Sequence, residues 1–382
     1  MPSLHNAKVL LFLALGSFKQ FNGGPIPSGI IPGMAYYTLA QVILTKKREE
    51  HNNSLALAMT LAALYTNQTG QLGESWKDVI CAYRIYTSHG NYADVPYNIL
   101  AVQSQNNPIS EETRRGSWMC REMACSIETC LGSSGCVPIS GSDMFSEGGP
   151  EQGPEMVYGT RVLLRALLDS LKRRTPADAA RIGDMDDEKV MLYADGANDQ
   201  TRYSREWRRS LRLELTWEDE ELPSTDPLMA SLRAEYYSGM AELLQPYLDG
   251  VKKCSFFTVT KDKPSTGQQK LMEVIRNWIH SALLSITAFD RVGAAPDSVY
   301  KGHGSVNRSP VMLSNPVKTL HAEAENVLNL HVVCSSAIYP LLTEQTELTL
   351  ASLHTLRLRT IVRLSEFGPK SLLLTKDLEK LR

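Results

Sequence analysis

A run rich in glycine, serine and proline interrupts this 382-residue chain and limits its possible folds more than any other feature. Residues 132–154 begin with Gly-Ser-Ser-Gly and end with Gly-Gly-Pro and Gly-Pro steps. Glycine and proline break helices, so this run is predicted to separate two folded regions. Because amphipathic helical patterns lie on both sides of it, the sequence predicts a mostly α fold with two helical lobes and a hinge.

The chain is expected to divide into five segments. They are an N-terminal arm at residues 1–33, an N-terminal helical lobe at 34–147, a hinge at 148–154, a C-terminal helical lobe at 155–368 and a C-terminal arm at 369–382. The first arm is apolar and then rich in glycine and proline, and the second is a short amphipathic segment after Gly368-Pro369. Segments of this kind dock into grooves, so we predict that both arms exchange between copies of the chain.

Helical periodicity is the strongest local signal. It is clearest at residues 34–44, 55–64, 76–86, 110–131, 155–174, 201–222, 267–292 and 317–333. Ser54 is predicted to cap the helix that follows it, and Pro246 is predicted to kink or end the helix that starts after Asp226. Residues 254–260, which include Phe256, Phe257 and Val259, are predicted to form a strand.

A cationic stripe stands out at residues 201–222. On a helical wheel Arg202, Arg205, Arg209 and Arg212 share one face, with Arg208 beside them. Guanidinium groups bind phosphate oxygens bidentately, so such a stripe suits a polyanion. Two alternatives stay open. The acid block at 218–221 could pair with the arginines within the chain, and the alternation of apolar residues at 211–217 could indicate a short strand.

A second stripe lies on the predicted helix at 155–174. It is formed by Arg161, Arg165 and Lys172 and ends with Arg173 and Arg174. Basic residues at the end of a helix also have a purely structural explanation, because they complement the negative end of the helix dipole. The whole chain has 40 basic and 42 acidic residues and a formal charge of −2, so any polyanion site must be a local patch.

The seven cysteines predict free thiols in a reducing compartment, because the number is odd and the chain is long. Cys120, Cys125, Cys130 and Cys136 cluster, but their spacing differs from that of paired CxxC zinc ligands. Buried thiols are therefore favoured over a metal site. The apolar run at 9–15 is too short to span a bilayer, and we expect an intracellular protein without a membrane partner.

The sequence contains none of the common catalytic or nucleotide-binding signatures GxGxxG, GxxxxGK[ST], HExxH or GxSxG. His321 and Glu325 lie one helical turn apart, which fits a shared metal or an ordinary surface contact. The acidic residues at 184–188 are typical of helix capping, with a hard cation as the alternative. We therefore expect a binding or assembly protein, not an enzyme, with no cofactor and no metal. A catalytic site scattered along the chain is the alternative.

Two helical regions, a hinge, cationic stripes and terminal arms together resemble the nucleoproteins of non-segmented negative-strand RNA viruses. Those proteins are of similar size, all-helical and two-lobed, clamp genomic RNA in a basic cleft between the lobes, and exchange terminal arms. Residues Ala337-Ile338-Tyr339-Pro340-Leu341-Leu342 are similar to the aromatic, proline-interrupted apolar segments of that family.

The resemblance implies sequence-independent binding of single-stranded RNA, with affinity that falls steeply as salt rises. The RNA-contacting residues it implies are Arg161, Arg165, Lys172, Arg173, Arg174, Arg202, Arg205, Arg208, Arg209 and Arg308. It also implies a homo-oligomer in the virion and in the host cytoplasm or nucleus, with a viral polymerase or phosphoprotein as a further partner. The alternatives are an icosahedral coat protein of an RNA virus and a cellular helical scaffold without nucleic acid.

Overall fold

The computed structural model describes residues 3–20, 31–88, 111–131, 154–252, 265–292, 316–336, 348–367 and 371–382. Within these ranges the regular secondary structure is entirely helical, which confirms the predicted mostly α class. The predicted strand at 254–260, the segment at 337–342 and Arg308 lie outside the described residues.

Twelve α-helices are present in the described residues. They are α1 (Leu4–Gln20), α2 (Met34–Lys47), α3 (Asn53–Gln68), α4 (Leu72–Ser88), α5 (Glu111–Leu131), α6 (Pro154–Arg174), α7 (Asp187–Arg209), α8 (Pro227–Lys252), α9 (Thr266–Thr287), α10 (Pro316–Cys334), α11 (Leu350–Phe367) and α12 (Leu372–Leu381). Short 3-10 helices at Arg48–Glu50 and Ala179–Asp184 complete the helical part of the described chain.

The chain divides into two compact units. Unit 1 comprises Met1–Leu163, Pro310–His321 and Leu364–Lys376, and unit 2 comprises Leu164–Ser309, Ala322–Arg363 and Asp377–Arg382. Of the predicted hinge at 148–154, only Pro154 is described, and it begins α6. The two lobes, the hinge and the exchange of terminal arms therefore stay predictions.

Helix α3 is the centre of unit 1, where α1, α2, α4 and α5 contact it. Its apolar sequence is buried on nearly every side, with Ala56, Ala62 and Tyr65 fully inaccessible. The helix starts at Asn52, whose Oδ1 accepts a hydrogen bond from the backbone N–H of Leu55 at 2.9 Å. The prediction that Ser54 is the cap is therefore wrong, because the asparagine two residues earlier already fills that role.

A close contact fixes α5 against α4 in unit 1. Gly116 of α5 faces the ring of Tyr86 so closely that a Cβ at this position would collide with the ring. A glycine within a helix costs stability relative to alanine, and here its lack of a side chain lets the buried tyrosine approach the helix backbone. The observed bounds of α4 and α5 contain the predicted helices at 76–86 and nearly all of 110–131.

Unit 2 is built on α8 and α9, which pack along each other, with α7 against α9. Trp278, Tyr247 and Leu244 are buried in these helices. Helix α9 begins with a capping box in which Ser265 and Gln268 satisfy each other's backbone N–H groups. Helix α8 continues through Pro246, so this proline does not end the helix, and the predicted kink stays a prediction.

The acidic residues before α7 act as helix caps, as the sequence predicts. The Oδ1 atom of Asp186 accepts from the backbone N–H of Lys189 at 2.9 Å and caps α7. Asp187 accepts from the hydroxyl of Ser265, and its Oδ2 atom accepts from the backbone N–H of Gly267 at 3.4 Å. This carboxylate therefore joins the N-terminal ends of α7 and α9.

Candidate functional site

The arginine stripe of α7 is paired within unit 2. Arg202 Nη2 lies 2.8 Å from Asp199 Oδ1, and Arg209 Nη2 lies 3.4 Å from Glu218 Oε2. Arg205 Nη2 donates to the side-chain oxygen of Asn277 on α9 at 3.1 Å. Exposed ion pairs of this kind contribute about 0–1 kcal/mol, so a phosphate group could displace the partners of Arg202 and Arg209 at little cost.

Arg208 differs from its neighbours because its side chain is only 1% exposed. Its guanidinium donates to the carboxylate of Asp219 and, at 3.1 Å, to the hydroxyl oxygen of Tyr237. The guanidinium carbon also lies 5.5 Å from the ring centroid of Trp217 and 5.4 Å from that of Tyr236. Its Nη2 also lies 3.5 Å from Glu218 Oε2. The charge is thus held by two carboxylates and two aromatic rings, and in this conformation it is inaccessible to a phosphate.

A chain of hydrogen bonds runs through the same cluster. The indole N–H of Trp217 donates to the hydroxyl oxygen of Tyr237 at 2.9 Å, and that hydroxyl donates to Asp219 Oδ1 at 2.7 Å. A buried tryptophan, a tyrosine and an ion pair therefore satisfy one another. We call Arg208, Trp217, Asp219, Tyr236 and Tyr237 the arginine cage.

The electrostatics of the cage depend on Asp219. Burial on its own would raise the pKa of this carboxyl, but hydrogen bonds from His280, Arg208 and Tyr237 outweigh burial and hold the pKa well below its usual range. His280 Nε2 lies 3.8 Å from Asp219 Oδ2. Burial opposes the charge of Arg208, whereas the bond to Asp219 favours it, and the net result is a raised pKa. Both members of the pair stay ionised.

Residues 211–217 form neither the predicted helix nor the alternative strand, and the arginine cage gives the reason. Helix α7 ends at Arg209, and the following residues form turns, without a strand. Leu215 and Trp217 are buried, whereas Leu213 is 86% exposed, so the apolar alternation reflects a turn segment crossing the edge of a core. The chain must reverse after α7 to bring Asp219 to Arg208. The alternative in which the acid block pairs with the arginines is confirmed for Glu218 and Asp219.

The second stripe, on α6, is largely paired as well. Arg161 Nη2 lies 2.7 Å from Glu122 Oε1 in unit 1, and both side chains are buried. In unit 2, Arg165 pairs with Asp169 at 3.2 Å. The exposed Lys172 pairs with Glu242 at 2.7 Å. Arg161 is buried and paired, as Arg208 is. Moving either charge into contact with RNA would leave its carboxylate partner without a counter-charge, which is costly.

Arg173 and Arg174 are the two cations of this set that are exposed and have no ion pair within the described parts of the chain. They occupy the last turn of α6, where positive charge is favourable for the helix itself. Arg308 lies outside the described residues. Among the predicted contacts in the described chain, Arg173 and Arg174 are therefore exposed without an ion pair, whereas Lys172, Arg202 and Arg209 are exposed but paired.

A buried network of ion pairs in unit 2 was not predicted from the sequence. Arg359 Nη1 lies 2.7 Å from Asp290 Oδ2, and Arg363 Nη1 lies 3.0 Å from Glu323 Oε2. The hydroxyl of Thr360 donates to Glu323 Oε1 at 2.7 Å. The residues of each ion pair are far apart in sequence, so no local sequence pattern predicts these pairs. Two carboxylates facing two guanidinium groups leave no excess charge for a ligand, which indicates a structural role.

Asp78 of α4 is a second feature that the sequence did not single out. The residue is buried, and desolvation raises the pKa of its carboxyl to about 6, although Arg48 and Gln41 counteract part of the effect. Gln41 Nε2 in turn donates to the hydroxyl oxygen of Tyr37 at 2.8 Å. A carboxyl that titrates near neutral pH suits acid–base chemistry, but here it lies against an amide and a stacked tyrosine pair in the core of unit 1.

Two of the described cysteines, Cys120 and Cys334, are buried free thiols. Cys120 is fully buried against the hydroxyl of Thr60, at 3.3 Å, and burial raises the pKa of its thiol to about 12. Burial likewise raises the pKa of Cys334 to about 11. Both thiols are protonated at neutral pH and behave as small apolar groups. Of the predicted cluster, Cys136 and the side chain of Cys125 lie outside the described part.

The first two helices carry apolar residues on their outer faces as well as on their inner ones. On α1, Ala7, Leu11 and Ala14 are fully buried. Val9, Phe12 and Leu13 of the same helix are exposed, and Phe12 retains 59% of its accessible surface. The same holds for α2, where Ile43 and Leu44 are buried. Its exposed apolar residues are Tyr36, Leu39 and Val42.

Comparison with protein-family models, with curated proteins and with solved structures finds no match. Among the described helices, none is both long enough and apolar enough to cross a membrane. The function must therefore be argued from the surfaces of this chain alone.

Proposed function

We propose that this protein is an α-helical assembly protein whose copies bind one another, and that the arginine stripe of α7 stabilises the fold instead of binding a polyanion. The observation that carries the proposal is the double-sided apolar character of α1 and α2. A helix that is apolar all round normally lies inside a protein, and a contiguous exposed apolar patch marks an interaction surface. Self-association would complete the burial of these helices.

The arginine cage supports the second half of the proposal. Arg208 lies in the middle of the cationic stripe, yet its charge is used by Asp219, Trp217 and Tyr236 within unit 2. Its neighbours Arg202 and Arg209 face carboxylates of their own chain. An RNA strand laid along α7 could displace the exposed partners of Arg202 and Arg209, but it would not reach the buried Arg208 and would be repelled by Glu218.

The viral nucleoprotein remains the second candidate, and one observation favours it. Arg173 and Arg174 are exposed at the end of α6 without an ion pair in the described residues, and Lys172 beside them has only an exposed partner. Such a cluster could contact a phosphate backbone without reading bases. A nucleoprotein and an icosahedral coat protein also self-associate, so both share the first half of the proposal.

Size-exclusion chromatography with absorbance at 260 and 280 nm, before and after nuclease and high salt, separates the candidates. The proposal predicts an oligomer with the absorbance ratio of free protein, unchanged by nuclease. A large nucleic-acid-rich peak that dissociates in high salt would establish the nucleoprotein instead. Its particle shape would then distinguish rings or helical filaments from the closed shell of a coat protein. A monomer in every condition would contradict the assembly protein, the nucleoprotein and the coat protein alike.

A further inference from the structure

We infer that His321, Glu325 and Asp377 bind one divalent metal ion of the Zn²⁺ type, which fastens helix α12 to helix α10. His321 and Glu325 lie one turn apart on α10, and Asp377 lies on α12. Imidazole nitrogens and carboxylate oxygens are among the ligands that Zn²⁺ takes in proteins. The inference goes beyond the proposed function and is independent of self-association, because no residue of α1, α2 or α7 takes part.

The three side chains converge on one point. One ligand atom of each, an imidazole nitrogen or a carboxylate oxygen, lies within 4.8 Å of the other two. Ligand atoms that surround a tetrahedral zinc ion at about 2.0–2.2 Å are separated from one another by about 3.4 Å. Small side-chain rotations therefore bring all three atoms to a common ion. Within the described residues, no other three His, Cys, Asp or Glu side chains converge in this way.

Two continuous helices set this geometry. Lys380 joins α12 to α10, because its Nζ lies 2.7 Å from Glu325 Oε1. Lys380, Glu325 and Asp377 all belong to unit 2. Helix α10 runs without a break through both His321 and Glu325, so the imidazole keeps its place one turn before the carboxylate. The spacing of these two residues was visible in the sequence, whereas the third ligand comes from a helix about fifty positions later.

The charges at this point call for a cation. Asp377 is buried, with a side chain that is only 1% exposed, and a buried carboxylate is costly unless cations or hydrogen bonds balance it. Glu325 adds a second negative charge beside it. The ammonium of Lys380 faces both, at 2.7 Å from Glu325 Oε1 and 3.6 Å from Asp377 Oδ1. A monovalent cation thus lies where a divalent one would bind.

Lys380 can give up this place to a metal ion. Its side chain is 53% exposed, so the ammonium can turn into water, and exposed ion pairs of this kind contribute little to stability. A lysine salt bridge needs only the two carboxylates. The half-buried imidazole of His321 at the same point is the feature that indicates a metal ion, because neutral imidazole is a strong ligand for Zn²⁺.

Other carboxylates of unit 2 are bound in ways that a metal ion would not displace easily. Asp186 and Asp187 accept hydrogen bonds from backbone N–H groups at the starts of α7 and α9. Glu323 is paired with Arg363, whose side chain is only 13% exposed. The cluster of His321, Glu325 and Asp377 combines an imidazole with a cation that can be exchanged.

Calorimetric titration of Zn²⁺ into the full chain, first dialysed against a chelator, tests the site. We expect one ion per chain to bind here. His321→Ala and Glu325→Gln should each raise its dissociation constant about tenfold or more, since losing even an outer-shell partner of a metal site costs about 10–100-fold. Lys380→Met should lower the constant, because it removes the competing ammonium. His331→Ala and Glu379→Gln, at exposed positions of α10 and α12, are matched controls that should leave it unchanged.

Thermal unfolding gives a second readout. Zn²⁺ should raise the melting temperature of the wild-type chain more than that of His321→Ala, because an ion that binds only the folded state stabilises it. Circular dichroism checks that each variant stays helical.

Three results would overturn the site. The first is a wild-type chain that takes up no Zn²⁺. The second is uptake with the same affinity in the wild type, His321→Ala and Glu325→Gln, which would place the ion elsewhere. The third is an unchanged or weaker affinity in Lys380→Met, which would contradict the exchange of the ammonium for the metal ion. None of these results bears on self-association, so the proposed function stands or falls separately.

Discussion

The buried Arg208 and the partly buried Asp219 form an ion pair across the reversal of the chain that follows α7, with the rings of Trp217 and Tyr236 on the guanidinium. The pair joins the end of one helix to an acidic segment eleven residues later in sequence. Its position in the middle of the cationic stripe places this one guanidinium in the core of unit 2, whereas Arg202 and Arg209 stay exposed.

Removing one partner of this pair should be costly. Asp219→Asn leaves the buried guanidinium of Arg208 with only the exposed Glu218, at 3.5 Å, as a counter-charge, so we expect a loss of at most about 3–5 kcal/mol in the free energy of unfolding. Urea unfolding followed by circular dichroism measures it. Arg209→Ala, which removes an exposed pair with Glu218, is the control and should cost at most about 1 kcal/mol. Equal effects of the two substitutions would show that Arg208 is not held as described.

The same pair predicts how acid acts on unit 2. The folded pKa of Asp219 lies well below the unfolded value of about 3.9, so its contribution is fully present above that value and is lost as the pH falls through the folded pKa. Stability should therefore decline below about pH 4. Unfolding free energies measured between pH 2 and pH 7 test this, and Asp219→Asn should flatten the acid limb. An unchanged acid limb in that variant would contradict the assignment.

Asp78 predicts the opposite pH dependence in unit 1. Its folded pKa of about 6 lies above the unfolded value, so the folded state binds a proton more tightly and stability falls as the pH rises from about 4 to about 6. Asp78→Asn should stabilise the protein at pH 7 by about 1–3 kcal/mol and have little effect at pH 4. Glu188→Gln, at an exposed carboxylate of α7, is the control. A gain that is independent of pH would point to another cause.

Two helical glycines should respond in opposite ways to the same change. Gly116→Ala drives a methyl group into Tyr86 and should cost about 1–3 kcal/mol through overpacking. Gly196→Ala on α7 meets nothing within 4 Å and should instead gain about 0.5–1 kcal/mol from helix propensity. Thermal unfolding of both variants measures the contrast. A stabilising Gly116→Ala would show that α4 and α5 do not approach as closely as described.

The helices themselves could be predicted from the sequence because their signals are local. The apolar spacing at 155–174 matches the observed α6 within one residue, and the acidic residues before α7 cap it as expected. The predicted end of a helix was wrong where a contact between residues distant in sequence sets that end. Helix α7 stops at Arg209 because Asp219, Trp217 and the tyrosines of α8 take up Arg208, and no helical wheel contains that information.

The candidate site was less predictable than the fold. All the arginines of a stripe look alike in sequence, yet burial distinguishes Arg208 and Arg161 from Arg173 and Arg174. Burial depends on which helix packs over each position, and that is set by tertiary structure. The apolar run at 9–15 was visible in the sequence, but only the structure shows that Leu11 is covered while Phe12 is not.

Sedimentation equilibrium of the full chain over a wide concentration range, recorded at 260 and 280 nm, measures self-association and bound nucleic acid together. We expect a mass that rises from the 42.5 kDa of one chain towards twice that value, with the absorbance ratio of free protein at every concentration. A mass that stays at 42.5 kDa throughout would contradict self-association. A heavy species rich in nucleic acid would contradict the assignment of the arginine stripe to the fold.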